Sequence, residues 1–284
     1  MFELQARGAP HIHCMFWLED EDGNEAPPTL WDGEDSDPEE TFEARSQRVA
    51  SFANDLIHGS LEKAACQNHD RVQDDCRPCQ EVLEVVSSYQ CHSHKTSCFK
   101  KKRILRILPR EGHGRLDGTM EEEELIVRVC RYNFPKNPSD TTCFIPAFPK
   151  DHPKKEVEKA KADYLKIRKY LLRLTNQADW EATETWPQFL QMSFQEFLYA
   201  VGMYEEGATF DETNKESFDE AKCRYLTALR CEVKSTGYVL LERSNKDIFV
   251  NNFNKSLAVI HPANHDVQFI TDTYAVVEYV SGIS

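Results

Sequence analysis

Near the start of the chain, His11 and His13 flank a single apolar residue, Ile12. Successive side chains of a β-strand point to opposite faces, so the two imidazoles project together and Ile12 projects behind them. Glu3 and Gln5 lie on a preceding strand-like run and, two residues apart, also share a face. Gly8 and Pro10 supply turn chemistry between the two runs. A hairpin folded there brings a carboxylate or an amide beside the imidazole pair. A divalent ion, Mg2+ or Mn2+, held by His11, His13 and one further oxygen ligand keeps open coordination positions, and a phosphodiester oxygen can fill one. The ion then draws charge from phosphorus and stabilises a pentacoordinate transition state. Such a site needs a nucleophile; a tyrosine hydroxyl, mostly protonated at neutral pH, requires the field of the metal and close positioning.

Further along, cysteine and histidine cluster. Cys66-x2-His69-x6-Cys76-x2-Cys79 contains two pairs with the spacing of structural zinc knuckles. Cys91-His92-x-His94-x3-Cys98 follows, and Cys130 heads the run Cys130-Arg131-Tyr132-Asn133-Phe134-Pro135. Directly after Cys98 the chain is strongly basic: Lys100, Lys101, Lys102, Arg103 and Arg106 occur with no acid among them. A charge run alone marks a wet surface; beside a Cys/His cluster it also fits contacts to phosphates. Arg131 has the same two readings.

These residues must be positioned by regular elements. Residues 1–18 read as the ligand-bearing hairpin. Residues 19–65 combine an acidic insertion with a helix from Glu43 to Ala65 that carries Val49, Phe52, Ala53, Leu56 and Ile57 on one face. Residues 66–150 form the Cys/His-rich and basic region, and its proline-rich part, 132–153, reads as an extended connector. Residues 151–284 are helical, then stranded, then helical again. Helices are expected over Glu156–Asn176, over Trp186–Glu206 with Thr185 as its cap, and over Ser217–Thr236 with Gly237 as its stop. Strands are expected at Tyr238–Leu241, Ile248–Val250 and Asp266–Ile270, and a final helix from Asp272. The fold class is α+β: an antiparallel sheet bearing the histidines, helices on one face, and a Cys/His-rich insertion.

The 284 residues allow one large domain or two small ones. No apolar run long enough to span a membrane occurs, and the first residues do not read as a signal peptide. The ten cysteines, with histidines interleaved, read as reduced thiols or metal ligands rather than disulfides. The net charge of −14 argues against a uniformly nucleic-acid-binding surface and leaves the basic run as the local exception. There is no G-x4-G-K-[ST] phosphate loop, so an ATP-driven motor is not expected in these residues.

The opening run Phe2 to Leu18, the His92-x-His94-x3-Cys98 and Cys130-Arg131-aromatic-x-Phe-Pro elements, and the run Val239 to Ser281 resemble the Rep domain of Helitron transposons. Those proteins are HUH (His-hydrophobe-His) endonucleases. The resemblance implies an HUH-type antiparallel sheet and a nuclear, metal-dependent single-stranded DNA nickase and strand transferase of rolling-circle transposition. A helicase domain or chain outside these residues would be its partner. It implies Tyr279 as nucleophile and Glu3 as third metal ligand, with Gln5 as the alternate and Gln268 more remotely. His92, His94, Cys98 and Cys130 would close a structural Zn2+ site, and Cys66, His69, Cys76 and Cys79 a second. Two departures stand out. The position for a second tyrosine, one turn after Tyr279, is Ile283, and the ligand strand begins almost at Met1. The family's upstream part is therefore expected to be missing, and the alternative is an inactive, zinc-stabilised, transposon-derived fragment that binds nucleic acid. A purely structural module would leave the histidine pair without a purpose.

Overall fold

The computed structural model describes residues 2–4, 10–12, 41–95, 98–108, 121–174, 186–205, 207, 210–233 and 236–269. Strands and helices are mixed, as in an α+β protein. Strands β1 (Phe2–Leu4) and β2 (Pro10–Ile12) form an antiparallel pair. Helix α1 (Phe42–Leu56) follows, then α2 (Arg77–Gln90). Strands β3 (Phe99–Leu108) and β4 (Glu121–Cys130) make a long antiparallel ladder. After β5 (Cys143–Pro146) come α3 (Lys154–Arg173), α4 (Trp186–Gln191), α5 (Phe194–Ala200) and α6 (Lys215–Leu229). Strand β6 (Gly237–Leu240) returns to pair with β5, and α7 (Lys255–Ile260) ends the described part. Among the described residues no helix is long and apolar enough to cross a membrane.

The main core lies where α3 to α6 meet the β5–β6 pair. Ile167 and Leu171 of α3 recur at helical spacing and are buried in one cluster with Tyr225, Ala228 and Leu229 of α6 and with Phe189 and Phe197 from α4 and α5. A bidentate ion pair ties the two long helices: Arg224 donates from Nε and Nη2 to Asp163, each at 2.6 Å. A second, smaller core joins α2 to α7 through Val82, Val86, Phe253 and Ala258. It bridges distant sequence, because His58 and Phe253 exchange both backbone hydrogen bonds, at 2.8 and 2.9 Å.

That exchange carries the His58 ring inside, edge-on to Phe253. Burial, followed by the nearby Lys255 and Lys63, lowers its pKa to about 4. The unfolded chain would protonate His58 near 6.5, so between pH 6.5 and about 4 unfolding takes up a proton and stability falls as the pH falls. We expect this ring to contribute a loss on the order of 2–3 kcal/mol across that window. Urea titrations at pH 7 and pH 4.5 with zinc present should show a smaller difference for His58→Phe than for the wild type.

Several expected elements differ. The first helix stops at Leu56, because Ile57 is extended and His58 is committed to Phe253. The connector at 132–153 contains β5, whose partner lies almost a hundred residues on and leaves no local signal. The helix expected over 186–206 is two: Ser193 accepts from the Glu196 backbone and the Glu196 carboxylate accepts from the Ser193 backbone, and this capping box starts α5 afresh. α6 ends at Leu229, and Gly237 is not its stop. A Cβ at Gly237 would sit 2.2 Å from the Phe144 ring, so this glycine allows β6 to close on β5. Ile248–Val250 and residues 266–269 are not strands, and α7 is a helix with no counterpart among the expected elements. The acidic insertion up to residue 40 and the segment from 270 onward lie outside the described residues.

Candidate metal centres

Cys66 follows a 3-10 turn (Leu61–Lys63) and two fully buried alanines, Ala64 and Ala65. His69 N–H donates to Cys66 C=O at 3.1 Å, closing a tight turn that aims both side chains inward. Cys76 is the N-cap of α2 and Cys79 sits in its first turn, with Pro78 at a position where no amide is needed. The four ligand atoms lie within 4.8 Å of one another. Cys66 Sγ is 3.6 Å from Cys79 Sγ and 3.9 Å from Cys76 Sγ, and His69 Nδ1 is 3.3 Å from the sulfurs of both Cys66 and Cys79. A tetrahedron with Zn–S near 2.3 Å and Zn–N near 2.0–2.1 Å has S···S edges of about 3.8 Å and N···S edges of about 3.5 Å. The observed edges have that size, and the thiols are not joined as disulfides.

Electrostatics prepare this group for a cation. Burial resists ionisation of Cys79, but backbone amides of Cys66 and Gln73, with the side chains of His69 and Cys66, outweigh it and bring the thiol down to about 6. Ligation requires the thiolate, and Cys79 supplies it near neutral pH.

The second group stands at the opposite end of α2. Cys91 caps that helix, and His92 N–H then donates to Phe249 C=O at 2.7 Å. Cys98 immediately precedes β3 and Cys130 ends β4, so the two sulfurs sit at the root of the ladder, where Phe99 pairs with Cys130 and Arg131 N–H donates to Cys98 C=O at 2.7 Å. The edges again fit a tetrahedral ion: His92 Nε2 to His94 Nδ1 is 3.2 Å, His94 Nδ1 to Cys98 Sγ 3.6 Å, and His92 Nε2 to Cys130 Sγ 3.5 Å. The His92 ring stacks on Phe134 at 4.3 Å and 6°, and Phe249 closes the other side edge-on to His94. Burial, then His94 and Lys136, lowers His92 to about 4, and burial lowers His94, so both imidazoles are in the neutral form that ligation requires at neutral pH. Burial raises Cys130, whose ionisation a bound cation would favour. Each Cys/His group could hold a metal ion.

The shared helix α2 was not legible from the cysteine spacing. Its signal was present: Cys79, Val82, Val86 and Gln90 are buried at helical intervals behind Pro78. At the N-terminus the ladder places Glu3 directly opposite His11, so the two positions share a face. His13, Gln5 and Tyr279 lie outside the described residues. Gln268 is exposed and donates to Asp266 at 2.8 Å.

The basic run forms β3, and its register divides it. Lys100, Lys101, Lys102 and Arg103 stand opposite Val129, Arg128, Val127 and Ile126, with no acid across from them. Arg106 stands opposite Glu123, and Leu105, Ile107 and Leu108 oppose Glu124, Glu122 and Glu121. By register, the basic positions Lys100 to Arg103 therefore lie at the root of the ladder, on the strand that follows Cys98. No family model, curated protein or solved structure matches the chain.

Proposed function

We propose that this chain is a zinc-stabilised protein of the Helitron Rep kind that binds single-stranded DNA and cleaves it through Tyr279, working in the nucleus beside a separate helicase activity. One observation carries the reading. Two elements quoted for the resemblance, His92-x-His94-x3-Cys98 and Cys130-Arg131-Tyr132, are brought into one Cys2His2 group at the foot of the basic strand. Zinc is the ion proposed for both groups, since mixed thiolate and imidazole ligands at tetrahedral spacing suit it. At the N-terminal hairpin, His11, His13 and Glu3 would hold Mg2+ or Mn2+, which when bound offsets charge developing at phosphorus. Tyr279 would attack the phosphodiester in line, leaving one DNA end linked to the phenol and a free hydroxyl on the other. The linkage keeps the energy of the broken bond for rejoining.

A second reading is favoured by Ile283, which stands where the resemblance implies a second tyrosine: binding of nucleic acid without turnover. The two separate in one assay. Labelled single-stranded oligonucleotide with Mn2+ should give a covalent adduct that survives denaturation and vanishes in Tyr279→Phe. Binding without an adduct supports the second reading, and absence of binding by metal-loaded protein contradicts both.

A further inference from the structure

The turn that carries Cys130 ends in an exposed aromatic ring. Tyr132 leaves 46 % of its surface open, whereas Phe134, two residues on, leaves 1 % and packs beneath His92. Packing at this centre is thus supplied by Phe134. The Tyr132 ring meets His92 only edge-on, at 5.7 Å. The Arg131 guanidinium lies over the ring at 4.6 Å from its centroid and hydrogen-bonds its hydroxyl, so a cation is held against this exposed aromatic side chain. The backbone beneath is fixed. Asn133 adopts φ 59°, its N–H donates to Cys130 C=O at 3.1 Å, and Lys136 Nζ donates to Tyr132 C=O at 3.3 Å while lying over Phe134. The basic positions Lys100 to Arg103 of β3 begin two residues after Cys98, whose carbonyl holds Arg131.

An exposed aromatic ring carrying a cation, on a turn that follows a basic strand, is the kind of arrangement that binds single strands: bases stack while phosphates track the charge. The geometry points to Tyr132, with the Arg131 guanidinium held against it, as a stacking platform for a base of single-stranded DNA, and to Lys136 as a positioning residue. This inference rests on the DNA-binding reading above and adds the residue that would grip a base. Duplex DNA, with its bases already stacked on one another, offers the platform no free face.

The test uses the zinc-loaded full chain with labelled oligo(dT) and an abasic strand of equal length. Tyr132→Ala should weaken oligo(dT) binding about tenfold or more and leave abasic binding nearly unchanged, while Tyr132→Phe stays close to wild type on both. Tyr132→Leu keeps apolar bulk without an aromatic face and should behave as Tyr132→Ala, which guards against a folding defect. Equal affinity of wild type, Tyr132→Ala and Tyr132→Leu for oligo(dT), or the same loss on both strands, overturns the platform. A wild-type protein that holds two zinc ions yet binds neither strand overturns the DNA-binding reading itself.

Discussion

Removing the metals should collapse a large part of this protein. Apparent zinc-binding free energies in small structural modules run about 10–16 kcal/mol near neutral pH, and that energy is folding energy where the site does not pre-exist. Here both groups bracket α2, and the second also fastens the root of the β3–β4 ladder. Without cations, each group holds buried or half-buried thiols and imidazoles against one another at 3.2–3.9 Å. Chelation should therefore lower the melting temperature by on the order of 10 °C or more and expose residues 61–98 to limited proteolysis. Restoring zinc, and not magnesium, should reverse both changes. Cys79→Ser and Cys130→Ser should each cause part of the loss, at opposite ends of α2. A melting curve indifferent to chelation would show that the clusters are reduced thiols with no structural duty.

The second large effect is expected at Arg243. Its side chain is only 4 % exposed as a residue and donates to the carbonyls of Gly59, Asp247 and Val250 at 2.8, 2.8 and 2.5 Å, and to Asn252 Oδ1 at 2.9 Å. Burial pulls its pKa down to about 10, with Asp247 the nearer counter-charge. The Asp247 carboxylate in turn accepts from Ser60 Oγ, Leu61 N–H and Ser244 Oγ. This one guanidinium thereby joins the segment leading into Cys66 to the segment lying behind His92. Arg243→Ala strands three buried carbonyls and the half-buried Asn252 Oδ1 and opens a cavity, so a loss of about 4 kcal/mol or more is expected in urea titrations. Arg243→Lys should recover little, since an ammonium cannot reproduce the fork. Zinc should also dissociate faster from both groups in these variants. A loss below about 1 kcal/mol would mean that water takes over the acceptors.

The ligand residues were legible because coordination chemistry constrains type and spacing: Cys66-x2-His69 and Cys76-x2-Cys79 can be read without knowing the path between them. The long helices α3 and α6 were legible from their apolar period. Strands were harder. Ile248-Phe249-Val250 has the β-branched and aromatic composition of a strand, but its backbone is spent elsewhere: Ile248 C=O accepts from Lys136, Phe249 C=O from His92, and Val250 N–H donates to Asp247. Periodicity reports which faces are buried and is silent about distant partners. β5 was hidden for the same reason, since a proline-rich stretch became a strand once β6 and the gap left by Gly237 received it. Splitting of the 186–206 helix depended on a capping box, Ser193 with Glu196, that was readable in the sequence and outweighed by the apolar pattern around it.

Two zinc ions, one at each end of α2, are proposed to organise this fold. X-ray absorption at the zinc edge, with native mass spectrometry on the same protein, tests this most directly. The expected result is two ions per chain, with five sulfur and three nitrogen ligands shared between them, and one ion left in either Cys79→Ser or Cys130→Ser. A folded chain that carries no metal, or ions ligated mainly by oxygen, would contradict it.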